Sequence, residues 1–223
     1  GTMAAVLLYF RADLWRIAVA FAGSLRGERW RSANPDARMG WFIILGTIPI
    51  GICGLLFQNV IDDELRTLYV IGGALILFSF VMLYAESRGR QKRELDEITM
   101  RDGLMIGAFQ AIALIPGVSR SGATISAGLL MGFDRTAAAR YSFLLSVPAV
   151  VLAGLFELRH IGEGGGAPAG ATALATLLAF IFGYLSIAWL LRFVSSHSIG
   201  QFVGYRIVLG LAIIGLAAGN VIS

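Results

Sequence analysis

Apolar stretches of membrane-spanning length dominate this chain, and they leave few folds open to it. Crossing a hydrocarbon core of about 30 Å takes about 20 apolar helical residues. Runs of that kind occupy roughly 40–57, 67–84, 138–157, 171–191 and 203–222. A soluble protein of 223 residues needs far more polar surface than 57% hydrophobic residues, 14% charged residues and a mean hydropathy of +0.77 allow. The sequence therefore predicts an all-α polytopic membrane protein: a single integral domain over 1–223, built as a bundle of transmembrane helices.

A further apolar region, 103–131, is long but broken by Pro116, Gly117 and the Ser/Arg/Ser cluster that follows. Lysine and arginine counts orient the loops around it, since cytoplasmic loops carry the positive excess. The loop 24–39 holds Arg26, Arg29, Arg31 and Arg38, and 85–102 holds Arg88, Arg90, Lys92, Arg93 and Arg101. Both are expected in the cytoplasm, with the acidic 58–66 (Asp62, Asp63, Glu64) outside. Arg135 and Arg140 in 132–140, and Arg192, also ask to be inside. Two cytoplasmic flanks make 103–131 a re-entrant helical hairpin, with 103–114 entering and 121–131 returning, because each half is too short to span.

An internal repeat is visible between 44–57 and 144–157, where Pro49 pairs with Pro148 and Gly54 with Gly154. By the loop assignments both copies run outward, which fits a parallel repeat; an inverted one requires a loop to be reassigned. Shifting Pro116 back by the repeat offset lands at Ile17, where there is no such cluster, so a first-copy hairpin is expected before residue 1. Residues 1–10 read as the tail of a truncated span, without the charged start or cleavage site of a signal peptide. Residues 11–23 read as an interfacial helix with Trp15 and Phe21 at headgroup level, and Trp30, Trp41 and Trp189 fall near span ends.

Between Gly103 and Phe133 the only formal charge is Arg120. An arginine at the bilayer centre costs at least about 2.5–3.5 kcal/mol on insertion scales, and it faces a cavity or a partner. The segment itself contains no acid, so the partner is an acid elsewhere or an anion that comes and goes. The neighbours favour an anion. A Pro116-Gly117 turn leading into a helix start near Ser121 would aim backbone N–H groups and the positive dipole end at one spot. Ser119, Ser121 and Thr124 add hydroxyls, and arginine's planar fork matches two phosphate oxygens. The bland alternative is packing: Gly122, Ala123, Ser126, Ala127 and Gly128 suit close helix contact, and Ser or Thr often only bonds the preceding turn. That alternative explains the hydroxyls better than it explains the charge.

The other polar residues carry less. Cys53 is the single cysteine and excludes an intramolecular disulfide. His160 and His197 sit in separate loops without metal-ligand spacing, so no metal site is expected in this chain. The pI near 9.6 reflects loop arginines, not a nucleic-acid footprint, because no basic run is interleaved with aromatics. Gln110 lies inside the apolar hairpin and is a candidate to line the same cavity.

The stretch "PGVSRSGATISAGLLMGFDRTAAARYSFLLSVPA", 116–149, resembles the bacterial undecaprenyl-diphosphatase (bacitracin-resistance) family. Its Pro-Gly-x-Ser-Arg-Ser-x-x-Thr signature falls on Pro116, Gly117, Ser119, Arg120, Ser121 and Thr124, and the similarity extends over essentially the whole chain. The resemblance implies a hydrolase of the bacterial plasma membrane that removes one phosphate from undecaprenyl diphosphate, recycles the peptidoglycan lipid carrier and gives resistance to bacitracin. It also implies a divalent cation (Mg or Ca) and re-entrant hairpins in a duplicated fold. It places diphosphate binding on Gly117, Ser119, Arg120, Ser121 and Thr124, with Arg120, Ser119 and Ser121 catalytic. A homodimer is left open. The family's glutamate-rich signature, with its serines and histidine, is absent, and with it the expected metal ligands and base; Gln110 stands where that segment has a glutamate.

A lipid-phosphate flippase is the competing reading, because broken hairpins around an anion site also build transporters. Membrane acid phosphatases are excluded: their nucleophilic histidine would fall on Ser126.

Overall fold

The structure, a computed structural model, describes residues 1–27, 34–157 and 169–222. Arg29, Trp30, Arg31 and His160 lie outside the described residues. About 80% of the chain is helical, and no strand occurs among the described residues.

Two compact units divide the chain. One comprises 1–44 and 143–193, the other 45–142 and 194–223. Helices α1 (Thr2–Tyr9), α2 (Arg11–Ser24) and α9 (Ala169–Val194) belong to the first. Helices α4 (Gln58–Asp63), α5 (Leu68–Arg88), α6 (Met100–Ile112), α7 (Arg120–Leu130) and α10 (Gln201–Ala218) belong to the second. Helices α3 (Pro35–Leu56) and α8 (Arg135–Glu157) contribute residues to both.

Among the described residues, four helices are long and apolar enough to cross a membrane: Pro35–Leu56, Leu68–Arg88, Gly170–Val194 and Gln201–Ala218. Their faces carry exposed large side chains, including Leu55, Leu77, Tyr205 and Val208, each about two-thirds or more accessible (80%, 70%, 70% and 67%). Apolar surface on that scale belongs against lipid. Helix α3 begins at Pro35, ahead of the apolar run at 40, and α5 continues to Arg88, because a charged end costs a helix nothing where it meets water. Arg135 and Arg140, expected in a loop, are in the first turns of α8, and part of the expected outer loop 58–66 is helix α4. Pro49 and Pro148 both lie inside long helices, five and six residues before Gly54 and Gly154, so the two repeat copies differ there by one residue.

In the first unit, α2 is packed more tightly than an interfacial helix requires. Ile17, Ala20 and Ser24 are buried, and Ser24 Oγ accepts from Trp41 Nε1 at 3.0 Å. Phe21, expected at headgroup level, packs on Trp41 with ring centroids 5.0 Å apart and the ring planes tilted by 60°. Trp15 remains 74% exposed.

In the second unit, α5 crosses α10 through two glycines. A Cβ on Gly210 would stand 2.7 Å from the Gly72 carbonyl, and one on Gly72 would stand 2.9 Å from that of Gly210. Small residues let helix backbones approach where lipid gives no hydrophobic drive to associate. Helix α7 lies against both α5 and α6, with its residues Gly122–Leu129 buried.

A folded cap holds one end of the α6–α7 pair. Thr99 and Asp102 form a reciprocal capping box at the start of α6, with Thr99 N–H to Asp102 Oδ2 at 2.9 Å and Asp102 N–H to Thr99 Oγ1 at 3.3 Å. Arg93 then grips Asp102 with both terminal nitrogens, at 3.2 and 2.7 Å, and donates to the carbonyls of Met131 (3.1 Å) and Glu97 (2.8 Å). Its guanidinium lies 4.2 Å from the Phe133 ring centroid. Arg135, opening α8, pairs with Glu86 near the end of α5. The mixed-sign connector is thus an ordered clasp. Burial opposes charge on Asp102, but hydrogen bonds from Arg93 and Thr99 outweigh it and hold the carboxyl below the usual carboxylate range. In return Asp102's hydrogen bond and charge push the Arg93 guanidinium higher still.

Candidate anion site at the start of α7

The opposite end of the pair is a turn, 113–119, closed by single bonds: Leu114 N–H to the Ala111 carbonyl (3.1 Å), Ile115 N–H to that of Ile112 (3.1 Å) and Val118 N–H to that of Ile115 (3.2 Å). Pro116 cannot extend a helix, and Gly117 has φ +97, in the left-handed region that favours glycine. Space demands glycine here as well, since a Cβ would stand 2.5 Å from the Ile71 carbonyl of α5. Ser119 also has positive φ, +74, although it carries a side chain.

Helix α7 starts at Arg120, one residue earlier than the sequence suggested, because Ser119 caps it. Ser119 Oγ accepts from Gly122 N–H at 3.2 Å, and the Ser119 carbonyl accepts from Ala123 N–H at 2.9 Å. Ser121 Oγ stands 3.4 Å from Ser119 Oγ. Ser119, Arg120 and Ser121 are half-buried, so two hydroxyls 3.4 Å apart stand at the positive end of an 11-residue helix whose first residue is Arg120.

Thr124 and Gln110 stand apart from that group. Thr124 is buried, with its hydroxyl 2.6 Å from Ser142 Oγ and donating to the Arg120 carbonyl at 3.0 Å. It ties the helix start to α8. Gln110 is fully buried in α6, and neither its amide nitrogen nor its oxygen has a partner among the described residues; the same holds for Ser126 Oγ. Unmet buried polar atoms cost about 1–3 kcal/mol each. His197 is exposed in the turn before α10, its Nδ1 2.8 Å from Ser196 Oγ.

Sequence reasoning missed Arg206. It lies within the apolar run 203–222, in α10, and donates through Nη2 to the carbonyls of Gly117 (2.8 Å) and Val118 (3.1 Å) and through Nε to Ser79 Oγ (3.2 Å). The signal was available: an arginine inside a span requires a polar partner at depth.

Among the described residues, no group of three or more His, Cys, Asp or Glu could hold a metal. The divalent cation implied by the resemblance therefore finds no ligand set in them.

A polytopic helical membrane protein with a capped, cationic helix start inside an apolar helix pair is the class that fold and site define. The chain belongs to the family described as bacitracin resistance protein BacA, whose profile matches residues 1–212. Its relatives include the undecaprenyl-diphosphatase of Paenarthrobacter aurescens (strain TC1), 52% identical over all of this chain and 82% of that protein. That of Arthrobacter sp. (strain FB24) is 52% identical over all of this chain and 79% of that protein. The undecaprenyl-diphosphatase of Mycolicibacterium smegmatis is 48% identical over all of this chain and 82% of that protein.

Proposed function

We propose that this chain is an undecaprenyl-diphosphatase of the bacterial cell membrane. It hydrolyses undecaprenyl diphosphate to the monophosphate and phosphate, returning the lipid carrier to peptidoglycan synthesis and conferring the bacitracin resistance in the family's description. Water adds to the terminal phosphorus, the bond from that phosphorus to the bridging oxygen breaks, and the bridging oxygen stays with the prenyl monophosphate. The single observation behind the assignment of the site is the cluster of Ser119, Arg120 and Ser121 at the capped start of α7. Arg120 and the helix dipole stabilise charge on the transferring group, and the two serine hydroxyls hold its oxygens. Gly117 shapes the turn and Thr124 fixes the helix start through the Arg120 carbonyl, while Gln110 keeps a buried amide without a partner among the described residues. The divalent cation implied by the family resemblance would supply charge stabilisation at the phosphoryl oxygens, and the described residues hold no ligand set for it. Chelation is expected to stop turnover and added Mg or Ca to restore it.

The flippase reading has no observation in its favour: the relatives carry a hydrolase's name. The test is Arg120→Ala in the full-length protein, with phosphate release from a polyprenyl diphosphate as readout. A loss of about 10³-fold or more is expected, the scale of arginine contributions to phosphoryl transfer; unchanged turnover would remove the site from this reading.

A further inference from the structure

We infer that Arg206 is a positioning residue for the diphosphate: it holds the Gly117–Ser119 turn in the orientation that the start of α7 needs. The inference rests on the proposed role of that turn in binding the substrate.

Three elements meet at this guanidinium. Nε reaches Ser79 Oγ on α5 at 3.2 Å, and Nη2 reaches the Gly117 and Val118 carbonyls at 2.8 and 3.1 Å. Ser79 is completely buried, and its hydroxyl proton is committed to the Leu75 carbonyl at 2.7 Å, so its oxygen is oriented to accept from Arg206. No carboxylate pairs with Arg206 among the described residues. Among the described residues, its charge is met by backbone and hydroxyl dipoles.

Those two carbonyls belong to the peptide planes that matter. In a trans peptide the C=O of one residue points opposite to the N–H of the next. Fixing the Gly117 carbonyl on Arg206 turns the Val118 N–H the other way, where it donates to the Ile115 carbonyl at 3.2 Å. Fixing the Val118 carbonyl turns the Ser119 N–H away from Arg206, and that N–H has no partner among the described residues. Ser119 is the cap of α7, and it holds φ +74 only because something over-determines it. Arg206 restrains it on one side, and the Gly122 and Ala123 N–H bonds restrain it on the other. The arginine's planar fork serves the hydroxyl and the carbonyls from one rigid group, which a lysine ammonium cannot reproduce.

The experiment uses the full-length protein with Arg206→Met, Arg206→Lys and Ser79→Ala, measuring kcat and KM for phosphate release and the melting midpoint in detergent. Misplacing reacting groups by about an ångström costs on the order of 100-fold in rate, and that fall in kcat is expected of Arg206→Met. A parallel fall in kcat/KM is expected, marking an interaction realised in the transition state. Arg206→Lys should recover part of the loss and Ser79→Ala should lose less than Arg206→Met. A purely structural role would lower the melting midpoint and the yield but leave kcat per folded molecule and KM as they are, and that result overturns the inference. If Arg206→Met does not fold, Arg206→Lys decides: a folded lysine variant with wild-type kcat also overturns it. Arg120→Ala measured alongside separates the two levels. If that variant keeps its turnover, the reading of the turn as the substrate site fails; if it loses turnover and Arg206→Met does not, the inference fails alone.

Discussion

The two ends of the α6–α7 pair use arginine in opposite ways. At the clasp, Arg93 and Arg135 meet the carboxylates of Asp102 and Glu86. At the turn, Arg206 meets carbonyls and a hydroxyl, and Arg120 opens helix α7. A carboxylate neutralises an arginine permanently and makes a fastener. Dipolar partners orient an arginine without cancelling its charge, so positive potential persists at the turn and can be spent on an incoming anion. On the proposed function, the clasp end serves stability and the turn end serves the substrate.

Beyond Arg120→Ala, the sharpest test is Gly117→Ala. Its φ of +97 and the 2.5 Å approach of the new Cβ to the Ile71 carbonyl must displace the turn. A turnover loss of about 100-fold, the scale of an ångström's misplacement, is expected from kinetic assay, together with a lower melting midpoint. Near-normal turnover would break the link between turn geometry and chemistry.

At the clasp the outcome should invert. Asp102→Asn weakens the bidentate contact to Arg93, and a stability loss of about 1–3 kcal/mol is expected from thermal melting in detergent. The rate per folded molecule should stay near wild type. A rate loss equal to that of Gly117→Ala would erase the distinction between the ends.

A pH series sharpens this further. Asp102 is held below its ordinary value in the folded state, so its contribution to stability is fully present above the unfolded pKa of about 3.9 and fades as pH falls through the lower folded value. The melting gap between wild type and Asp102→Asn should therefore be widest near neutral pH and narrow below about pH 4. A gap independent of pH would mean that the Asp102 charge is not what holds Arg93.

The smallest effect is expected from Thr124→Val, which keeps the shape and loses the bonds to Ser142 and the Arg120 carbonyl. About 1 kcal/mol of stability and a modest rate loss should follow, measured by the same melting and kinetic assays. A loss as deep as that of Arg120→Ala would make Thr124 a direct ligand of the substrate.

Much of this was legible in the sequence because it depends on local chemistry. Long apolar runs report helices in lipid, and Pro116-Gly117 reports the break between α6 and α7. The cluster Ser119-Arg120-Ser121 could be read as a helix start because capping needs only residues three apart. Thr124 reads from the sequence as a third hydroxyl for the anion, and its bond to Ser142, 18 residues on in another helix, is not visible there. The segment 85–102 reads only as a cytoplasmic loop, because the bond from Arg93 to the Met131 carbonyl crosses 38 residues.

By itself, then, the amino-acid sequence determined the solvent of this protein, its helical class, the position of the break and the identity of the cluster at α7. All of these follow from hydropathy, backbone restriction and near-neighbour bonding along the chain. Only the tertiary structure decided that Arg206, 86 residues beyond Arg120, lies behind that turn and that Asp102 holds Arg93 at the other end. Which charge meets which partner depends on how helices cross, and the crossing of α5 and α10 at Gly72 and Gly210 is set by packing between segments far apart in the chain.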